Sequence, residues 1–389
     1  MATRIIVISS VRPEPTSAGQ IILHRHLVNQ PGIEWESYGS EPSRLTASST
    51  FRRAMGHLAQ TRLQRLARDF WAWRDGRWLD HLLPKAVPAG EQSVVLTVAQ
   101  GDAFGAAWRF AQKHRLPLVT IFHDWWPDMG LIHPSFHELL EKRFRELYRQ
   151  SRLALCVSEG MRAVLGPHPN AQLLYPIPAK ASPIVPARTP HDGFRVMYHG
   201  NLQDYGPMVA NALNELKGHR QVRLEVRGGN PRWPEHFRQE MQREGLWHDY
   251  APRAVLNEWM GAANAFLVPM VFEPAMRRRM ETSFPSKMLE MAQFVKPLVI
   301  WGPEYCSAVQ WGRQGNRALC VTDPNPAALR QALEKLAAST DEQQRLAASA
   351  RQAALTDFNP DKIQTQFMDA LQGVLEHGQI RNGRLDARP

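Results

Sequence analysis

Short apolar runs separated by amphipathic stretches recur along this 389-residue chain. Arg4-Ile-Ile-Val-Ile-Ser-Ser10 is apolar without alternation, the pattern of a strand buried on both faces of a parallel sheet. Ser93–Ala99, Leu116–Phe122 and Leu153–Ser158 repeat that pattern. Between them the sequence predicts helices over Gln20–Val28, Ala103–His114 and Pro134–Arg149, with Pro13, Pro15 and Gly19 in a loop after the first strand.

The rhythm breaks at Tyr175–His191, where five prolines and no helical period predict a semi-rigid linker. It restarts with strands at Phe194–Tyr198, Val222–Arg227, Ala265–Pro269, Leu298–Trp301 and Ala318–Val321. Helices over Pro326–Leu336, Asp341–Leu355 and Pro360–Leu375 follow with no strand between them, and the polar tail Gln379–Pro389 reads as disordered. The expected fold class is α/β: two Rossmann-like doubly wound domains, residues 1–180 and 193–360, joined by a linker over 181–192. Two such domains place a central cleft between two sets of strand ends, where ligands of doubly wound folds bind.

Composition narrows the class. Apolar residues at 43% and charged residues at 22% suit a soluble globular protein, and no apolar run approaches the roughly 20 residues that span a bilayer. Cys156, Cys306 and Cys320 have no metal-ligand spacing, and the first strand follows no secretory leader, so a cytoplasmic, reducing location is expected. The net charge of +10 calls for an anionic partner: substrate, lipid or nucleic acid. Part of it clusters in residues 51–85, where eight basic residues face three acids and interleave with Phe70, Trp71, Trp73 and Trp78. That stretch reads as a helix lying on an anionic membrane, as a nucleic-acid surface, or as a solvated face whose tryptophans are core.

The first strand is not followed by Gly-x-Gly-x-x-Gly, and no Gly-x-x-x-x-Gly-Lys-Ser/Thr loop occurs, which disfavours the usual dinucleotide oxidoreductases and P-loop hydrolases. The informative segment is Ser283-Phe-Pro-Ser-Lys-Met-Leu-Glu290. Pro285 fits the first turn of a helix, leaving Ser286 and Lys287 with outward N–H groups that attract phosphate. Glu290 falls on the face of Lys287, and the helix closes before Pro297. An ordinary capped amphipathic helix is the alternative reading. No Asp-x-Asp pair occurs, so a metal bridge to phosphate has no obvious ligands, and the helix start and Lys287 share that work.

Tyr198-His-Gly-Asn-Leu202, Leu224-Glu-Val-Arg-Gly-Gly229, Phe284-Pro-Ser-Lys-Met-Leu-Glu-Met-Ala292, Thr16-Ser-Ala-Gly19 and Phe122-His-Asp-Trp-Trp-Pro127 occur in an order that resembles retaining GT-B fold glycosyltransferases, of the family 4-like type with a Pro-Ser-Lys sub-pattern. The resemblance implies a C-terminal helix, 361–378, packing back on the first domain. It implies transfer of a sugar from a UDP-, GDP- or TDP-linked donor to a hydroxyl acceptor, glycan or lipid-linked, with retention and without metal or cofactor. Bacterial glycan, polysaccharide or glycolipid synthesis, at the inner membrane face, is the implied setting, with nucleic acid disfavoured. Donor binding falls to Gly200, Asn201, Gly206, Arg227, Gly228, Thr282, Ser283, Ser286, Lys287 and Glu290. Glu290 would grip the ribose hydroxyls and Lys287 the leaving diphosphate. On the acceptor side stand Ser17, Gly19 and Trp125, with His123 contacting the transferred sugar and Asp124 orienting the acceptor. His123 reads equally as a loop histidine, Asp124 as a turn cap and Trp125 as packing.

The chain departs from that pattern at three places. Thr282 stands where the family has a second acid, with Glu281 one step off. Asn201 and Gln203-Asp204 replace an Arg and a Lys after the first donor-domain strand, leaving phosphate charge to Lys287 and to Arg227, Arg253 or Arg277-Arg278-Arg279. These departures keep two rivals in play, a sugar-nucleotide epimerase on the same fold and a non-catalytic basic scaffold.

Overall fold

Strands whose residues are almost all apolar form the centres of two parallel sheets, each covered by helices. The structure, a computed structural model, describes residues 3–16, 18–39, 73–87, 92–129, 133–180, 193–229 and 231–385. The chain clusters into two compact units, residues 1–175 with 363–389, and residues 176–362. The linker expected over 181–192 lies outside the described residues, as does most of the basic stretch 51–85.

In the first unit the order is β1 (Thr3–Ile8), α1 (Ala18–Leu27), β2 (Ile33–Tyr38), β3 (Ser93–Val98), α2 (Ala103–His114), β4 (Leu118–Phe122), α3 (Pro134–Gln150), β5 (Leu153–Cys156), α4 (Glu159–Leu165) and β6 (Ala171–Leu173). The strands lie side by side as β2-β1-β3-β4-β5-β6. Every residue of β3, β4 and β5 is buried, which is why these runs do not alternate. The edge strands β2 and β6 were not legible in the sequence. Ile33-Glu-Trp-Glu-Ser-Tyr38 is partly exposed along its length and β6 has three residues, so neither shows an apolar run.

The second unit runs β7 (Phe194–His199), α5 (Gly206–Leu216), β8 (Val222–Arg227), α6 (Glu235–Arg243), β9 (Trp247–His248), α7 (Arg253–Gly261), β10 (Ala265–Pro269), α8 (Arg277–Thr282), α9 (Ser286–Ala292), β11 (Leu298–Trp301), α10 (Ser307–Arg313), β12 (Leu319–Val321), α11 (Pro326–Ala338) and α12 (Thr340–Leu355). Its strand order is β12-β11-β10-β7-β8-β9. The chain therefore leaves β7 in one direction and returns on its other side, making the carboxyl ends of β7 and β10 the topological switch point. In the first unit the corresponding switch lies between β1 and β3.

The last helix, α13 (Pro360–Leu385), presents Ile363, Phe367, Ala370, Leu371 and Val374 to the first unit's core. Gln364 clasps His26 of α1: its Nε2 donates to the His26 carbonyl at 3.1 Å, and its Oε1 lies 2.8 Å from His26 Nδ1. Gln366 Nε2 donates to the Leu173 carbonyl at 2.6 Å. The helix continues to Leu385, so most of the tail expected to be disordered from Gln379 has helical backbone. Once the packed turns exist, each further residue adds a hydrogen bond, and no proline follows Pro360 before Pro389 to stop it.

Three other features bear on earlier expectations. Within the described part of the basic stretch, Trp78 packs against the core and donates to Asp102 Oδ2 at 2.8 Å, while Trp73 is 54% exposed. The three cysteines are unpaired, and burial pushes the Cys156 and Cys306 thiols up to about 12, which makes them inert. Glu225 on β8 is buried between Arg195 on β7, at 2.7 Å, and Arg223, at 3.0 Å. Burial alone would push its carboxyl up, but the hydrogen bonds and charges of the two arginines outweigh burial and hold it low. Glu225→Ala strands Arg195, whose side chain is only 11% exposed, and is expected to destabilise the second unit by about 3 kcal/mol in urea denaturation.

Candidate functional site

The site in the second unit is built from a turn, a short helix and the start of a third element. Pro285 occupies the N-cap position, one residue earlier than the sequence suggested, and α9 has seven residues. Its face buries Met288, Leu289, Met291 and Ala292 under β11, which carries Glu290 into the interior at 5% exposure. One carboxylate oxygen of Glu290, Oε2, receives Arg253 Nη1 at 3.0 Å and lies 3.7 Å from Lys287 Nζ. Arg253 is the first residue of α7, so two cations from separate elements converge on one buried acid. Ser286 is partly buried in the first turn of α9.

His199, the last residue of β7, completes this cluster, and the sequence reading missed it. It is 4% exposed, and its Nε2 is buried with no hydrogen-bond partner among the described residues. Burial first, and then the charge of Lys287, lower its pKa to about 3, with Glu290 opposing and Arg253 adding to the fall. His199 is therefore neutral at physiological pH. The usable signal was a histidine ending an otherwise apolar strand, at the switch point where ligands gather.

The loop after β7 is held closed by its own side chains. Asn201 Oδ1 accepts from the N–H groups of Gln203 at 2.7 Å and Asp204 at 3.4 Å, and its Nδ2 donates to Asp204 Oδ2 at 3.1 Å. Asp204 in turn pairs with Arg279 of α8 at 3.0 Å. The Asn201 side chain thus closes the turn after β7. The glycines serve close approach within the protein. A Cβ on Gly200 would lie 2.6 Å from the Tyr198 hydroxyl, and one on Gly228 would lie 2.4 Å from the Gly200 carbonyl oxygen. Gly206 opens α5 beneath Trp233, whose Nε1 donates to its carbonyl at 2.8 Å.

Other expected donor residues are engaged elsewhere. Thr282 is fully buried and its hydroxyl donates to the Arg278 carbonyl at 2.8 Å, which removes it from any surface that a sugar would touch. The Ser283 carbonyl accepts from Ser307 Oγ, and its N–H donates to Arg279 O at 2.9 Å. Arg227 donates to the Asp249 carbonyl at 2.9 Å and lies over the Trp259 ring. In the basic run, Arg277 covers Tyr305 and Arg278 pairs with Glu281, alongside the Arg279 pair already described.

In the first unit, His123 and Asp124 follow β4 at its carboxyl end. His123 Nδ1 is buried and has no hydrogen-bond partner among the described residues. Burial lowers its pKa, with Asp124 acting against that fall. Trp125 corrects the expectation of a stacking surface: it is 1% exposed, donates to Glu141 at 3.0 Å and meets Phe144 edge to face. Trp125 fills the core, and its neighbour Trp126 is partly buried against the same cluster. Gly19 is the second residue of α1, while Ser17 lies outside the described residues.

No family model matches the sequence, and no curated protein does. Solved structures do match in shape. HepE from Anabaena in complex with UDP superposes with TM-score 0.58 at 15% identity, covering 96% of this chain and 100% of that one. The α,α-trehalose-phosphate synthase (UDP-forming) of Burkholderia vietnamiensis matches with TM-score 0.59 at 12% identity, covering 96% and 98%. A trehalose-6-phosphate synthase studied for glycosyl transfer with retention matches with TM-score 0.61 at 14% identity, covering 95% and 99%. Likeness over nearly the full length, with two six-stranded parallel sheets in two units, establishes the architecture: the chain has the GT-B fold.

Proposed function

We propose that this protein is a retaining glycosyltransferase that moves a sugar from a nucleoside diphosphate sugar to a hydroxyl acceptor. The observation that carries the reading is the buried Glu290 carboxylate holding Lys287 and Arg253 beside the switch point of the second unit. As the glycosidic bond breaks, negative charge grows on the leaving diphosphate, and fixed cations lower that barrier. Held by Glu290, Lys287 and Arg253 lose little freedom when the diphosphate arrives. In this reading they do the work that a bridging metal does elsewhere. With retention, the acceptor hydroxyl attacks on the leaving-group face and passes its proton to the departing phosphate oxygen. His123 and Asp124, at the carboxyl end of β4, then orient sugar and acceptor in the first unit.

HepE was solved with UDP and the Burkholderia enzyme is UDP-forming, so UDP is the first nucleotide to test, with GDP and TDP beside it. At about a hundred times Kd, a bound nucleotide should raise the melting temperature by about 5 °C. No rise with any of the three sinks the proposal. Where one is seen, the matching sugar nucleotides are then incubated with acceptors, and the anomeric configuration of the product is read by NMR. Donor consumed with no acceptor present, and no nucleotide released, points to the epimerase instead.

A further inference from the structure

We propose that Arg253 and His199 form, with Lys287, the binding set for the donor's diphosphate, and that Arg253 replaces the cations missing from the loop after β7. This inference rests on the donor reading above. The loop itself offers no positive charge: Asn201 closes its turn, and its acid, Asp204, is matched by Arg279. A diphosphate at the switch point therefore has to find its cations elsewhere. The Glu290 cluster supplies them, two cations gathered on one carboxylate oxygen, a trio with a formal charge of +1. Both cationic side chains are 43% exposed while the acid is 6% exposed, so the positive groups face outward and the negative one is covered. An anion arriving there meets the cations first.

His199 supplies the independent observation. Its Nε2 is buried, lacks any partner among the described residues, and belongs to the strand that defines the switch point. A buried imidazole nitrogen left without a partner is uncommon in folded proteins. The side chain senses the charges of Lys287, Glu290 and Arg253, so it belongs to the same cluster. In the tautomer with hydrogen on Nε2 it donates to an acceptor-rich ligand without carrying charge. A diphosphate oxygen meets that need, and a ribose or base edge does not need two cations beside it.

The competing explanation makes Arg253 only a prop for Glu290. The two separate on ligands that differ by phosphate alone. Uridine, UMP and UDP are titrated calorimetrically into the full-length wild type and into Arg253→Gln, Arg253→Lys and His199→Leu, with guanosine, GMP and GDP as a second series. Arg253→Gln should weaken the diphosphate by about tenfold or more while leaving the nucleoside within about twofold. Arg253→Lys should recover most of that loss, and His199→Leu should weaken the diphosphate selectively. Circular dichroism confirms that each variant is folded. Equal loss for nucleoside and diphosphate, or no loss in Arg253→Gln, overturns the inference. If the wild type binds none of UDP, GDP and TDP, the donor reading itself fails. If it binds one and Arg253→Gln binds it unchanged, only this inference does.

Discussion

Glu290→Gln is expected to weaken nucleotide binding by about thirtyfold or more while leaving the protein folded. Gln fills the same volume, so the packing of α9 under β11 survives, but the charge that gathers Arg253 and Lys287 is gone. Removing one partner of a covered, hydrogen-bonded charge pair costs about 2–5 kcal/mol in binding, which corresponds to a fall in affinity of about thirtyfold or more. The effect on stability is smaller, about 1 kcal/mol, because both cations are 43% exposed and water screens them once released. Calorimetric titration with UDP and GDP, alongside urea denaturation, reads both numbers. This variant differs from Arg253→Gln in a diagnostic way. Glu290→Gln should weaken nucleoside and diphosphate together, because the same acid is proposed to accept the ribose hydroxyls. Diphosphate affinity within about threefold of wild type would remove Glu290 from the site.

What the sequence disclosed follows from where each residue sits relative to the sheets. The central strands were legible because burial on both faces forces a continuous apolar run, as in Val94-Val95-Leu96 or Leu298-Val299-Ile300. Strands β2, β6 and β9 stand at sheet edges, so no such run marks them. The Lys287–Glu290 pair was legible because one helical turn relates the two residues. Arg253 was visible only as one of several spare cations, because 37 positions separate it from Glu290 and only the fold joins them. Trp125 and Thr282 looked available because a turn sequence does not say which side chain points inward, and both proved buried. His199 escaped because a histidine before a glycine reads as the beginning of a loop, whereas here it is the last residue of a buried strand.

Acidification from pH 7.5 to pH 5 should destabilise both units through two buried histidines, one in each. The His26 pKa falls to about 4, chiefly because burial disfavours its charged form, with the Gln364 hydrogen bond working against that fall. The His199 pKa falls to about 3, again from burial first and then from Lys287. The sign follows from proton counts. Between pH 6.5 and these lowered values the unfolded chain binds protons that the folded state refuses, so stability falls as pH falls, with no contribution above about pH 7. At pH 5 each histidine accounts for about 2 kcal/mol, a large share of the net stability of a typical domain. In the first unit, Asp75 and Asp102 act in the opposite direction, since burial raises their pKa values and favours the protonated folded state on acidification. His123 and His168 in the first unit and His248 in the second, whose pKa values burial also lowers, add to the fall in stability. Urea midpoints at pH 7.5, 6 and 5 for the wild type, His26→Phe and His199→Leu isolate the two contributions. Phe suits the site beside Phe367, whose ring centre is 4.5 Å from that of His26. Whatever either substitution does to stability at pH 7.5, it should flatten the pH slope of its own unit and leave the other unit's slope in place. Slopes unchanged in both variants would mean that neither histidine is held neutral by the fold. In that case the lone Nε2 of His199 would lose its standing as a poised donor to the diphosphate.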